Sequence, residues 1–362
     1  MLLTWNLTIS VVMHMSKKYK LAAVIGRFEP MHNQHINLIK KGLELADQVV
    51  VLFGGDHRPR TIKNPLAVSE RQSILGSWAW DNAVGHRVSS SGVNDYMYSD
   101  SAWVADVQKT VNDTFSERIY PRPAKKGEIC LVGCDKDSSS YYLKMFPQWD
   151  LISMPLGDTL DSTQIRQLLF EGKSLSYIAG AVPEQTLKFL TEFKHNSNFE
   201  QLVREYEFIQ KYKLAWAAAP YDPIFVTTDA WVVQSGHVLL IQRKKEPGHG
   251  LWAAAGGFLG LKDTLIESML RELKEETKIK VPAAVLEGSI IDSHVFDSPT
   301  RSMRGRTITH SYLIKLKDDK ELAHVKAADD AMAAKWVPLS EVVSDNMYED
   351  HWDQFMFFKN KV

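Results

Sequence analysis

Residues 19–55 read YKLAAVIGRFEPMHNQHINLIKKGLELADQVVVLFGG, and this succession of textures decides the fold of the first half. Tyr19 to Ile25 is a short apolar run stopped at Gly26, the pattern of a buried strand. Ile36, Ile39 and Leu43 recur at helical spacing, and Gln48 to Phe53 is a second apolar run closed by Gly54-Gly55. Strand, helix and strand in so short a span make a βαβ unit, which requires a parallel sheet with right-handed crossovers. Outward from this unit the alternation continues. A helix is predicted over Ala67 to Ala79, a strand with its loop over Val84 to Val93, and a helix over Ser101 to Thr114. Glu128 to Val132 is a strand ending at Gly133, Leu151 to Met154 a short strand stopped by Pro155, and a helix starts at Ser162. Residues 15–190 therefore read as a Rossmann-like, doubly wound α/β domain.

Phe189 to Ala217 is largely helical in pattern, with Phe199, Leu202, Tyr206 and Ile209 near a 3.6-residue period, so 191–222 is expected to be a helical linker. After Pro223 the texture changes. Ile224 to Val233 and His237 to Gln242 flank Gln234-Ser235-Gly236 as a hairpin, Ala255-Gly256-Gly257-Phe258 reads as a loop, and Thr264 to Lys274 is an amphipathic helix. With strands at Ile308 to Lys315 and Ala334 to Val337, residues 223–362 form a second, α+β domain of α/β/α sandwich type. The 362 residues are 44% apolar and 24% charged with a net charge of -1, which gives no field suited to nucleic acid or an acidic membrane. The acids of the last stretch (Glu341, Asp345, Glu349, Asp350, Asp353) also oppose contact with nucleic acid. Cys130 and Cys134 are too few for a disulfide framework, so a reducing cytoplasm is expected. Residues 1–14 are apolar without a preceding basic region and read as a non-structural extension; no membrane span is expected.

The chemistry begins where the first strand feeds the first helix. Gly26-Arg27-Phe28-Glu29-Pro30-Met31-His32-Asn33-Gln34-His35 sits at the carboxyl end of a strand, where doubly wound sheets bind ligands. A helix N-terminus there offers N–H groups to phosphate, Gly26 permits close approach, and His32 and His35 share a helical face. Downstream, Asp161-Ser162-Thr163-Gln164-Ile165-Arg166 is a second helix start, with Ser162 or Thr163 as N-cap and Arg166 one turn in. The first run resembles the G-x-F-x-P-x-H-x-G-H element of the nucleotidylyltransferase superfamily, with Gln34 in place of its last Gly, and the second resembles its S-T-x-x-R motif. Thr61 to Pro65 with Glu70-Arg71, Ser101-Ala102-Trp103, and Gly133 to Ser139 resemble the nicotinamide-mononucleotide adenylyltransferases. That resemblance implies ATP contacts from Gly26, Arg27, Phe28, His32, His35, Lys63, Gly133, Ser162, Thr163 and Arg166. It implies contacts to nicotinamide mononucleotide (NMN) from Trp103, Lys136 and Asp137, though Trp103 fits a core aromatic as well. His32, His35 and Arg166 would be the catalytic groups, Mg2+ would bridge the triphosphate, and NAD would be the product.

Gly257 to Ile279 reads GFLGLKDTLIESMLRELKEETKI, in which Glu272, Glu275 and Glu276 fall at i, i+3 and i+4 and face one way on a helix. Adjacent carboxylates repel unless a hard cation neutralises them. The stretch resembles the Nudix box, with Asp263 for its first Glu and Lys278 for its last Gly. The resemblance implies a divalent ion (Mg2+ or Mn2+) on Glu272, Glu275 and Glu276, with Glu275 and Glu276 catalytic. Arg301 to Thr307, with Arg304 and Arg306, resembles the segment of ADP-ribose pyrophosphatases fused to such adenylyltransferases, and Asp329-Asp330 before Trp336 fits them too. ADP-ribose is the implied substrate, with Arg301, Arg304 and Arg306 as its contacts. Three readings stay open: the bifunctional enzyme, the same folds with other nucleotide substrates, and a Nudix domain that only senses ADP-ribose. A homo-oligomer is compatible with all three.

Overall fold

The computed structural model describes residues 17–135, 138–157, 159–328 and 331–362. The expected extension at 1–14, the NMN contacts Lys136 and Asp137, and the pair Asp329-Asp330 lie outside them.

In the first domain β1 (Tyr19–Gly26), β2 (Ala46–Asp56), β3 (Val88–Asn94), β4 (Ile129–Cys134) and β5 (Asp150–Met154) form one sheet in the order β3-β2-β1-β4-β5. Every pairing is parallel, as the opening βαβ unit required. β1 is central, so both its faces are covered and its sequence is almost continuously apolar. Ala22 and Val24 face a core made with α1 (Asn33–Leu45) and α2 (Val68–Asp81). Leu21, Ala23 and Ile25 face the other, made with α3 (Asp100–Arg118). The reversal of strand order beside β1 puts the β1–α1 turn and the start of α4 (Ser162–Phe170) over the same crevice.

The expected linker is more than a spacer. α5 (Glu184–Phe193) and α6 (Ser197–Trp216) bury Leu190, Phe193, Phe199, Leu202 and Ile209 in the first domain's core. α6 also reaches the second domain: Gln201 donates to the His249 carbonyl at 3.3 Å, and at its far end Tyr212 and Trp216 pack edge-on against Phe225.

The second domain is built on β6 (Phe225–Gln234), β7 (His237–Arg243), β8 (Trp252–Ala253), β9 (Ala255–Phe258), β10 (Ile290–Phe296), β11 (Thr307–Lys315) and β12 (Ala331–Pro338). β6 is paired parallel to β11 and antiparallel to β9. Its Ala230 and Val232 face α7 (Leu265–Thr277), whereas Trp231 and Val233 face α9 (His351–Lys359), with the short α8 (Ala283–Gly288) beside α7. This is the expected α/β/α sandwich. The Gly-rich segment read as a loop is strand β9, held flat against β6 from Thr227 to Ala230. Among the described residues no helix is long and apolar enough to cross a membrane.

The two domains also touch directly. Arg58 pairs with Asp353 at 2.7 Å and donates to the Asp95 carbonyl, the Met97 N–H donates to Asp353, and the Tyr98 hydroxyl donates to Asp350. Of the acids read as opposing nucleic acid, Asp350 and Asp353 are therefore interdomain contacts, and Asp345 lies 3.4 Å from His57 across the same seam.

A second contact predicts a pH effect. Glu205 of α6 is buried beside Glu246 and Glu349, and burial together with those two carboxylates pushes its pKa up to about 7. A carboxyl whose folded pKa is raised costs nothing below the unfolded value near 4.5, and its penalty grows until pH passes the folded value. Glu205→Gln is therefore expected to stabilise the chain at pH 8 by on the order of 3 kcal/mol, with the gain gone by about pH 4. Denaturant unfolding at the two pH values checks this.

Candidate active sites

The two front motifs meet. Ser162 donates its hydroxyl to the Pro30 carbonyl at 3.0 Å, and Arg166 donates to the Glu29 carbonyl at 2.6 Å and to the Thr163 hydroxyl at 3.2 Å. The N-cap is Asp161, whose carboxylate accepts the Gln164 N–H; Ser162 and Thr163 lie inside the first turn. This corrects the expected cap, and frees the Ser162 hydroxyl to join the loops. Gln34, at the position where the motif has Gly, is tucked inward and donates to the Pro155 carbonyl.

His32 is the N-cap of α1, and its backbone N–H donates to Nδ1 of His35 at 3.2 Å. An acceptor Nδ1 places the proton of neutral His35 on Nε2. The two imidazole centroids lie 3.8 Å apart, and the Phe28 ring lies 4.3 Å from that of His35. Phe28 has φ +56, which brings its ring back over Gly26, where a Cβ would stand 3.0 Å from it. A side chain at 26 would push that ring out from beneath the histidines.

Three cations converge here. Arg27 pairs with Asp95 at 2.9 Å and donates to Asn64 at 2.8 Å. Burial, then the nearby Arg27 and Arg166, lower the pKa of Lys63. Crowded, partly desolvated cations are arranged for a polyanion rather than for each other. Beneath them Glu29 is buried, accepts the Leu66 N–H and faces Arg71 at 3.3 Å; burial pushes its pKa up to about 7. Glu29 and Arg71 shape the loop, and nothing in the sequence announces their burial. Arg71 also donates to the carbonyls of Arg27 and Gly54. Gly133 closes β4 against Leu143. Trp103 is half-buried on α3, edge-on to Tyr142 and Phe146 at 5.7 Å each.

In the second domain the box glutamates occupy α7 but are not gathered. Arg271 binds Asp263 at 3.0 Å, Glu272 at 2.8 Å and Glu275 at 3.3 Å, and Glu276 instead accepts the Gly256 N–H at 3.0 Å. Among the described residues, no group of three carboxyl, imidazole or thiol side chains is placed to hold an ion. The donor chemistry nevertheless fits a hard divalent cation. Burial first, with Glu272 and Asp229 close by, pushes the Glu276 pKa up to about 8, and a bound divalent ion would hold that carboxylate ionised. Gly257 belongs to the same surface, since a Cβ there would stand 2.6 Å from the Glu272 carboxyl. Asp229, which the sequence reading passed over, accepts from Thr309 at 2.6 Å on the buried side of β9.

Lys278, at the usual Gly position, is the C-cap of α7 with φ +45. An L-residue in that region costs about 1–2 kcal/mol, part of which glycine returns to the unfolded chain as entropy. Lys278→Gly is expected to raise stability by roughly 0.5–1 kcal/mol, read as a higher denaturation midpoint with unchanged slope.

The basic segment is tied into the second domain. Arg301 is buried in a two-pronged pair with Asp350 at 2.8 and 2.9 Å. The Arg304 guanidinium lies over the Phe258 ring at 5.0 Å, and Arg306 donates to the Asp297 carbonyl.

A cytidylyltransferase-like family model matches residues 23–167 and a NUDIX domain model residues 224–358. The chain is 34% identical over 192 residues to the nicotinamide/nicotinic acid mononucleotide adenylyltransferase of Acinetobacter baylyi, covering 52% of this chain and 94% of that one. It is 32% identical over 117 residues to the ADP-ribose pyrophosphatase of Methanocaldococcus jannaschii, covering 32% of this chain and 63% of that one. The crystal structure of a bifunctional NMN adenylyltransferase/ADP ribose pyrophosphatase from Francisella tularensis, complexed with AMP and a Mn ion, superposes with a TM-score of 0.83 at 32% identity. That match covers 95% of this chain and 99% of the other. With both halves matched in one continuous alignment, the chain belongs to the family of bifunctional NMN adenylyltransferase/ADP-ribose pyrophosphatases.

Proposed function

We propose that the chain joins ATP and NMN into NAD at the front site and hydrolyses ADP-ribose to AMP and ribose 5-phosphate at the rear site. The observation that carries this reading is the union of two distant motifs into one cationic cradle, on a chain whose full length follows a bifunctional relative.

In the first reaction a phosphate oxygen of NMN attacks the α-phosphorus of ATP, the bond to the β-phosphate breaks, and pyrophosphate leaves. The protein contributes position and charge. Arg27, Lys63 and Arg166 hold the triphosphate, and the imidazoles of His32 and His35 donate toward its oxygens. Ser162, Thr163 and Gly133 line the nucleotide, and Trp103, with Lys136 and Asp137, receives NMN. In the second reaction water attacks one phosphorus of the diphosphate and the bridging P–O bond breaks. Glu272, Glu275 and Glu276 would hold a divalent ion, Mg2+ or Mn2+, which supplies charge neutralisation and a more acidic water. Arg271 orients Glu272 and Glu275, and Arg304 with Arg306 faces the substrate. A cytoplasmic setting suits both substrates.

One assay panel tests the reading. ATP is incubated with nicotinamide or nicotinate mononucleotide, and ADP-ribose, NAD and nucleoside diphosphate sugars are incubated separately, each with Mg2+ or Mn2+. Dinucleotide from the first set and AMP from ADP-ribose are expected. Absence of dinucleotide would refute the front reading, and binding of ADP-ribose without turnover would favour a sensor.

A further inference from the structure

Asp350 is fully buried and accepts four hydrogen bonds. Oδ1 takes Arg301 at 2.8 Å and Gln354 at 3.1 Å; Oδ2 takes Arg301 at 2.9 Å and the Tyr98 hydroxyl at 2.7 Å. Tyr98 belongs to the first domain, just before α3, and the other donors belong to the second. A buried ion pair holds its geometry only when the remaining lone pairs are satisfied. The tyrosine also touches the same segment at its beginning, its ring standing edge-on to Phe296 at 5.1 Å. Next in the chain, the Asp297 carbonyl accepts from Arg306, and the Met303 N–H donates to Glu349, the neighbour of Asp350. Residues 296–306 are thus pinned at both ends around Tyr98, with Arg304 held out over Phe258 of β9. The tyrosine is itself anchored, because the Met97 N–H and Arg58 both bind Asp353.

We propose that Tyr98, a residue of the adenylyltransferase domain, is a positioning residue for the hydrolase, fixing the Arg301-to-Arg306 segment against ADP-ribose through Asp350. The inference rests on the reading that this segment meets the substrate. It makes the front domain part of the rear site without touching the reacting atoms.

The test uses the full chain carrying Tyr98→Phe, which removes one oxygen and keeps the ring on Phe296. The KM for ADP-ribose is expected to rise about five- to tenfold, the effect of one lost hydrogen bond to a buried carboxylate, while kcat for hydrolysis and the rate of NAD formation change less than about twofold. Amide hydrogen exchange over residues 301–306 should quicken in the variant. A role confined to stability would lower the melting temperature and leave KM in place. Arg304→Ala, assayed beside it, tests the underlying reading. If Arg304→Ala raises KM and Tyr98→Phe changes neither KM nor exchange, the positioning role is overturned and the substrate reading stands. If Arg304→Ala also leaves KM unchanged, the substrate reading falls and the inference with it.

Discussion

Replacing Glu276 by glutamine is expected to lower the rate of ADP-ribose hydrolysis by on the order of 10³-fold and to leave NAD synthesis untouched. The amide keeps the size of the side chain and can still accept the Gly256 N–H, so the β9–α7 packing survives. What disappears is a buried carboxyl that a divalent ion would hold in its ionised form. On the proposed reading that carboxylate is one of the ion's ligands, and its loss would weaken the hold on a divalent ion and with it the activation of water. The same substitution should make the ion-free protein more stable at pH 8, because a carboxyl with its pKa pushed up to about 8 is costly to ionise. Hydrolysis assays with Mg2+ and Mn2+, together with unfolding in the absence of both, measure the two effects. A Glu276→Gln protein that still hydrolyses ADP-ribose at the parental rate would remove the box from the reaction.

His32→Ala is the complementary experiment. His32 is buried at the start of α1, its ring against that of His35. Alanine removes one wall that fixes the His35 ring and, on the proposed reading, a donor to the phosphate charge that develops. A loss of roughly 10²- to 10³-fold in kcat/KM for NAD formation is expected, with hydrolysis unchanged. Should either variant depress both activities, the two sites would not be chemically independent.

The parts of this molecule written locally were legible in the sequence. The alternating apolar runs and glycines gave β1, α1 and β2 their places, and the 3.6-residue pattern gave α7. Both front-site motifs lie at helix starts, where short-range rules apply, although the cap of α4 is Asp161 rather than Ser162 or Thr163. What escaped depends on partners far along the chain. β9 looks like a loop because Gly256 and Gly257 lack β propensity, and only its pairing with β6 makes it a strand. Arg301 looks like a substrate contact until Asp350 and Tyr98 arrive from remote segments. Asp353 looks like one acid in a polar tail until Arg58, 295 residues earlier, is seen beside it. The box glutamates share a helical face as their spacing implied, yet Arg271 divides them, a consequence of its reach rather than of its position.

The Arg58–Asp353 contact has a consequence for how such a molecule could be recombined. Both side chains are nearly hidden, with exposures of 11% and 10%, so a half transplanted from another protein would bring a lone charge to a dry seam. A chimera joined at the α6–β6 boundary should come out insoluble or inactive unless position 58 or 353 is changed to match, and the two catalysts must be exchanged together or refitted at that bolt.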